Sequence, residues 1–218
     1  MAAIVAAWQN NVEVLKGRAI TSLFTVIRDK DASTADYITH ADRLLNLLAE
    51  ETLAQHATPH TVTTPCGTYE GLKPCPATQL CAVSIVRSGD ILLEATRRAC
   101  LGIAVGKILI QRDEETALPK LFYSKLPPDI AQRKVILVDP MLATGGSALT
   151  AIQVLRDAGV PEENILFSNV VSCPEGLAAM FAAYPKIRTV TCAVDDGLDE
   201  KKYIVPGLGD FGDRYYST

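Results

Sequence analysis

The chain has 218 residues, 48% of them hydrophobic, with 25 acidic against 21 basic side chains and a formal net charge of −4. That apolar share can build the core of one large α/β domain, and a pI near 5.4 argues against a nucleic-acid surface. No apolar run approaches the ~20 residues needed to cross a bilayer, and residues 1–8 lack the basic start of a secretory leader. The expectation is a cytoplasmic protein with no membrane or nucleic-acid partner. The six cysteines form no Cys-x-x-Cys pair, and His40, His56 and His60 fall at no metal-finger spacing. Buried reduced thiols and surface histidines are expected.

In chain order, residues 1–30 read as an N-terminal extension. Ser33-Thr34-Ala35-Asp36 has a capping-box-like spacing and opens a helix to about residue 54. Ile38, Ala41, Leu44, Leu45, Leu48 and Leu53 line one of its faces. Residues 56–76 are rich in Thr, Pro and Gly, and predict a loop with short hairpin strands around Thr61-Val62-Thr63 and Thr68-Tyr69-Glu70. A buried strand at 82–86 precedes a helix at 90–101. Ile108-Leu109-Ile110 is the next strand and delivers Arg112 at its end. Residues 118–126, with Leu121-Phe122-Tyr123, predict a two-stranded flap arm whose aromatics suit an oligomer interface. A strand at 165–171, a helix at 174–183 and a strand at 190–194 follow. Strands alternating with helices imply right-handed crossovers and a mainly parallel central sheet flanked by helices. No repeat or linker divides the chain, so residues 1–218 form a single domain.

The most informative stretch is Val135-Ile136-Leu137-Val138-Asp139-Pro140-Met141-Leu142-Ala143-Thr144-Gly145-Gly146-Ser147. The apolar run suits a strand covered on both faces, and Asp139 then lies at its carboxyl end, where open α/β sheets hold ligands. The loop from Ala143 to Ser147 has no bulky side chain, so its N–H groups can close around an anion at the start of a helix. Ala148, Ile152 and Leu155 give that helix one apolar face, ending near Gly159. Ser147 stands where a Walker A loop has Lys, and the paired glycines do not make a dinucleotide-binding turn. A tight connection with glycines for geometry alone would explain the glycines, but not Asp139, Thr144 and Ser147. Arg87 and Arg112 both end strands at the same sheet edge, where guanidiniums can fork onto phosphate. The plainer alternative for each is a surface ion pair, for Arg112 with Glu114.

The Asp139–Ser147 segment resembles the phosphoribosyl pyrophosphate loop of uracil phosphoribosyltransferases. Most type I phosphoribosyltransferases carry two adjacent acids where this chain has Asp139-Pro140. The single acid followed by Pro-Met-Leu-Ala points to the uracil branch, with wording closer to its eukaryotic members. Three other segments resemble the family in the same order. They are Ser84-Ile85-Val86-Arg87-Ser88-Gly89, Gln111-Arg112-Asp113-Glu114-Glu115-Thr116, and Tyr203-Ile204-Val205-Pro206-Gly207-Leu208-Gly209-Asp210-Phe211-Gly212-Asp213. The resemblance covers about residues 28–218. Ser88 stands where the family usually has Ala, and the chain ends Tyr215-Tyr216-Ser217-Thr218 where Phe-Gly-Thr is frequent.

The resemblance implies a type I phosphoribosyltransferase fold with a flap arm and a C-terminal base-binding hood over residues 195–218. It implies transfer of the phosphoribosyl group to uracil, giving UMP and pyrophosphate. Asp139, Pro140, Met141, Leu142, Ala143, Thr144, Gly145, Gly146 and Ser147 would hold phosphoribosyl pyrophosphate, together with Arg87, Arg112 and Asp210. Asp139 would accept from the ribose hydroxyls. The catalytic set is Arg87, Arg112, Asp139 and Asp210. Met141, Tyr203, Ile204, Gly209, Asp210 and Phe211 would hold uracil, largely through backbone groups. The implied cofactor is Mg²⁺, met by Asp210 directly or through water, with Asp213 structural. A homodimer or homotetramer and a GTP activator belong to the same implication. Two alternatives stay open: a transferase for a purine base or orotate, and a non-catalytic nucleotide- or RNA-binding regulator on the same fold.

Overall fold

The computed structural model describes Trp8, residues 10–111, the backbone of Arg112, and residues 119–218. The chain opens with β1 (Val12–Val14), α1 (Arg18–Arg28) and α2 (Thr34–Ala54), then a hairpin of β2 (Thr58–Thr64) and β3 (Gly67–Lys73). The central part contains β4 (Leu80–Val86), α3 (Gly89–Ala99), β5 (Ala104–Arg112), β6 (Pro119–Lys125), β7 (Lys134–Val138) and the short β8 (Met141–Leu142). It continues with α4 (Gly146–Asp157), β9 (Ile165–Ser172), α5 (Pro174–Ala183) and β10 (Arg188–Val194). A C-terminal hood holds β11 (Gly197–Leu198), β12 (Ile204–Val205) and α6 (Phe211–Tyr216).

One sheet runs β1-β10-β9-β7-β4-β5-β6, with β8 beside β9, and only the edge strand β6 is antiparallel to its neighbour. Strand β9 is buried along its whole length and β4 along nearly all of it, because helices cover both faces. One core layer joins Leu44, Leu45, Leu48 and Leu92 to the sheet, and the other joins Ile152, Leu155, Phe167 and Met180. From β4 the chain moves outward to β5, and from β7 it moves the opposite way to β9. The crevice between the carboxyl ends of β4 and β7 is therefore a topological switch point, the place where such sheets bind ligands.

Ser33 caps α2 as its spacing predicts, its hydroxyl accepting from the Asp36 N–H at 3.1 Å. The buried face is centred on Tyr37, Ala41, Leu45 and Leu48, which leaves Ile38 and Leu53 at its half-exposed margins. The 1–30 stretch is more than an extension. β1 pairs with β10, and α1 buries Ile20, Leu23, Phe24 and Ile27 in the core. The hairpin of β2 and β3 stands largely exposed. In the predicted flap region, Leu118 lies outside the described residues, and β6 forms the sheet's edge with Phe122 and Tyr123 exposed. His56 is not a surface histidine. It is buried just past the C-terminus of α2, and burial, with Arg188 and Lys134 nearby, pushes its pKa down to about 4. Among the thiols, Cys81, Cys173 and Cys192 are buried, but Cys66 is exposed.

Candidate active site

A cleft of about 250 Å³ opens at the switch point, bounded by Ser88 after β4, Asp139 after β7, the loop into α4 and the hood. The loop's geometry follows from its small residues. Gly145 caps α4 at φ +85°, a conformation that strains any residue with a Cβ, and a Cβ there would lie 3.3 Å from the Gly176 carbonyl. Helix α5 packs so closely that a Cβ on Gly176 would lie 2.5 Å from the Ala143 oxygen. The loop's carbonyls turn inward. Leu142 O accepts from the Cys173 N–H at 3.2 Å, and Ala143 O accepts from the Cys173 thiol at 3.0 Å. The amides of the first turn of α4 are left without helical partners, which is the condition for an anion cradle.

Asp139 is partly exposed to the cleft. Burial in dense protein pushes its carboxyl up to about 7, opposed by the Ser88 hydroxyl and the Met141 N–H, and assisted by the Asp210 charge. The Ser88 hydroxyl donates to Asp139 Oδ1 at 3.2 Å. Asp210 caps α6, its Oδ1 accepting from the Asp213 N–H at 2.9 Å.

The hood supplies the remaining wall through Lys202, Tyr203, Ile204, Gly209, Asp210 and Phe211. In the β11–β12 hairpin, Tyr203 O accepts from the Asp199 N–H at 2.8 Å and Val205 O from the Asp196 N–H at 2.9 Å. Alternation along an antiparallel strand then turns the N–H and C=O of Ile204 away from the hairpin. A donor and an acceptor of the same residue, three bonds apart, are thus left for a planar partner.

The structure brings Asp139, Met141 to Ser147, Tyr203, Ile204, Gly209, Asp210 and Phe211 together, as the sequence suggests. Two expected residues, Pro140 and Arg87, stand apart from the cleft lining. Pro140 is buried behind the loop, its carbonyl accepting from Val170 and Val171 at 2.8 and 3.0 Å. Arg87 follows a cis Val86–Arg87 peptide, and its guanidinium pairs with Asp213, donates to Thr218 Oγ1 at 3.0 Å and lies over the Tyr216 ring. Arg112 ends β5, but its side chain and residues 113–118 lie outside the described residues. Sequence reasoning missed the Ser88–Asp139 contact and the place of Lys202, which has φ +69° on the cleft wall. No local signal marks either; only the fold brings them to the cleft.

A family model for uracil phosphoribosyltransferase matches residues 14–218. The chain belongs to the uracil phosphoribosyltransferase family. It is 50% identical over 217 residues to the uracil phosphoribosyltransferase of Dictyostelium discoideum, covering 97% of this chain and 99% of that one. A solved structure of the AQ2163 protein from Aquifex aeolicus superposes with a TM-score of 0.80 at 28% identity, covering 95% of this chain and 98% of that one. An adenine phosphoribosyl transferase from Trypanosoma brucei shares the fold, with a TM-score of 0.55 at 13% identity over 88% of this chain and 87% of its own. The architecture is thus that of the type I phosphoribosyltransferases.

Proposed function

We propose that the chain is a transferase that moves the 5-phosphoribosyl group of phosphoribosyl pyrophosphate to uracil. The bond from the anomeric carbon to pyrophosphate oxygen breaks, a bond to the pyrimidine nitrogen forms, and that nitrogen's proton is released to give UMP. The observation that carries this reading is the meeting, in one cleft, of an amide cradle at α4 and the outward-facing peptide groups of Ile204.

In this assignment the Thr144–Ser147 amides and hydroxyls hold the 5′-phosphate, and ionised Asp139 accepts from the ribose hydroxyls. Ile204 presents its C=O to a ring N–H and its N–H to a ring carbonyl, with Met141, Tyr203, Gly209 and Phe211 shaping the slot. Holding both reactants in line supplies most of the advantage, because the transition state is close to an oxocarbenium ion. Arg87 and Arg112 grip the leaving pyrophosphate, Arg87 exchanging Asp213 for phosphate oxygens.

The donor set fits Mg²⁺. Among the described residues no group of three or more His, Cys, Asp or Glu gathers to hold a metal, and Asp139 and Asp210 face the cleft. Magnesium favours few carboxylates with water and substrate oxygens, so Asp210 would meet it directly or through water. When bound, it neutralises charge on the leaving group. A homodimer or homotetramer and activation by GTP are carried over from the family resemblance. Cytoplasmic location is part of the same reading; no helix among the described residues is long and apolar enough to cross a membrane.

The test is pyrophosphate release with Mg²⁺ and phosphoribosyl pyrophosphate, offering uracil, cytosine, hypoxanthine, adenine and orotate in parallel. Turnover with uracil alone is expected. Turnover with another base would overturn the base assignment, and silence with all five would overturn the enzymatic reading.

A further inference from the structure

Helix α1 ends directly behind the hood, and its last residue is tied to it. Arg28 forks onto Asp195 through Nη1–Oδ2 and Nη2–Oδ1, both 2.7 Å. The same Nη1 donates to the Gly207 carbonyl at 2.7 Å, while the Gly207 N–H donates to Asp195 Oδ2 at 2.9 Å. These contacts close a ring joining α1, the end of β10 and the turn after the cis Val205–Pro206 peptide. Asp195 is only 5% exposed, so its carboxylate depends on these partners. A second arginine answers from the hood. Arg214 donates to Ile27 O at 2.5 Å, Leu208 O at 2.8 Å and Asp29 O at 2.6 Å, and lies over the Tyr37 ring.

The ring bears directly on the base-facing group. Gly207, at φ +59°, packs so tightly against Ile204 that a Cβ on it would lie 2.0 Å from the Ile204 carbonyl oxygen. Wherever Gly207 is held, Ile204 O is held. The anchorage of α1 itself does not need the ion pair, because Ile20, Leu23, Phe24 and Ile27 already bury it in the core.

We infer that Arg28 and Asp195 are positioning residues that act through Gly207 on Ile204, so that the N-terminal helix sets affinity for the base and not for the phosphoribosyl donor. The inference rests on the proposed function for the identity of the base. Its physical content is a strut: two charged side chains fix the turn whose backbone reads a planar heterocycle.

Arg28→Lys keeps the charge but loses the fork, and Asp195→Asn keeps the shape but loses the charge. For each variant, KM for uracil, KM for phosphoribosyl pyrophosphate, thermal melting and amide hydrogen exchange would be measured on the full chain. The expected result is a cooperative melt at a lowered Tm, a rise of about tenfold in KM for uracil, an unchanged KM for the donor, and faster exchange most marked at residues 203–210. An unchanged uracil KM, or equal rises in both constants, would overturn the strut. If wild type itself fails to use uracil, the functional reading falls. The exchange measurement then decides the strut alone, and unaltered protection of residues 203–210 would refute it.

Discussion

Asp139→Asn should raise the stability of the fold while removing activity, and the size of the gain can be worked from the carboxyl's surroundings. Burial lifts this carboxyl from 3.8 to about 7, so the folded chain keeps a proton that the unfolded chain releases near pH 4. The sign follows. Wild-type stability falls as pH rises from about 4, and the loss levels off above about 7. A shift of roughly three units corresponds to about 4 kcal/mol at most, and the group's partial exposure to the cleft reduces the expected effect to about 2 kcal/mol. Asn is close in shape and keeps an acceptor for the Ser88 hydroxyl, so the gain is not offset by a cavity. Urea denaturation of both proteins at pH 4, 6 and 8 reads it directly. The variant should match wild type at pH 4 and exceed it by about 2 kcal/mol at pH 8, with turnover down by about 10²-fold. A variant less stable than wild type at pH 8, or a gain independent of pH, would refute the reasoning.

Ser88→Ala removes a hydroxyl that lowers the Asp139 pKa, so the acidic limb of kcat/KM for the donor should move up by about one unit; an unmoved limb would deny the contact any role. Gly145→Val combines φ +85° with a Cβ 3.3 Å from Gly176 O, and should cost about 1–3 kcal/mol while abolishing donor binding by calorimetry. Normal affinity would sink the amide cradle. Tyr215→Phe loses the hydroxyl that donates to Asp42 at 2.7 Å, and should lower Tm by about 2–4 °C without changing kcat/KM. An unchanged Tm would mean that the bond contributes nothing net.

The parts of the fold legible in the sequence are those where one local signal sufficed. A continuous apolar run gave β7, and mostly apolar runs interrupted by Ser84 in β4 and by Ser168-Asn169 in β9 gave the other two, because parallel strands buried on both faces need not alternate. The run from Asp139 to Ser147 announced its loop because glycine is required where Gly145 and α5 meet. Helix α1 was also legible, with Ile20, Leu23, Phe24 and Ile27 at helical spacing, yet residues 1–30 read as an extension. His56 was misjudged because α2 places it inward at its end, a consequence of packing that three scattered histidines cannot display. The destination of Arg87 was beyond sequence altogether. Asp213 and Thr218 lie more than 120 positions away, and only the hood's return over the sheet edge makes them neighbours.

That return raises an electrostatic question which the proposed chemistry must answer. Among the described residues lining the cleft, Asp139 and Asp210 face the single cation Lys202, although the donor is a polyanion. Part of the answer is the α4 amide cradle, which binds phosphate with no net charge of its own. Another part is Asp139 itself, since a carboxyl titrating near 7 is only partly ionised in neutral solution. The remainder falls on Arg87, whose guanidinium is already paired to a carboxylate at the cleft's margin. Replacing one anionic partner by another avoids the cost of stripping a bare guanidinium of water. Asp213 sits one turn into α6, whose cap is Asp210, so moving Arg87 from Asp213 to pyrophosphate would disturb the same short helix that faces the base. If the proposed assignment holds, α6 would link the two ends of the cleft through Asp213 and Asp210, and a chain lacking that helix should lose response to both substrates together.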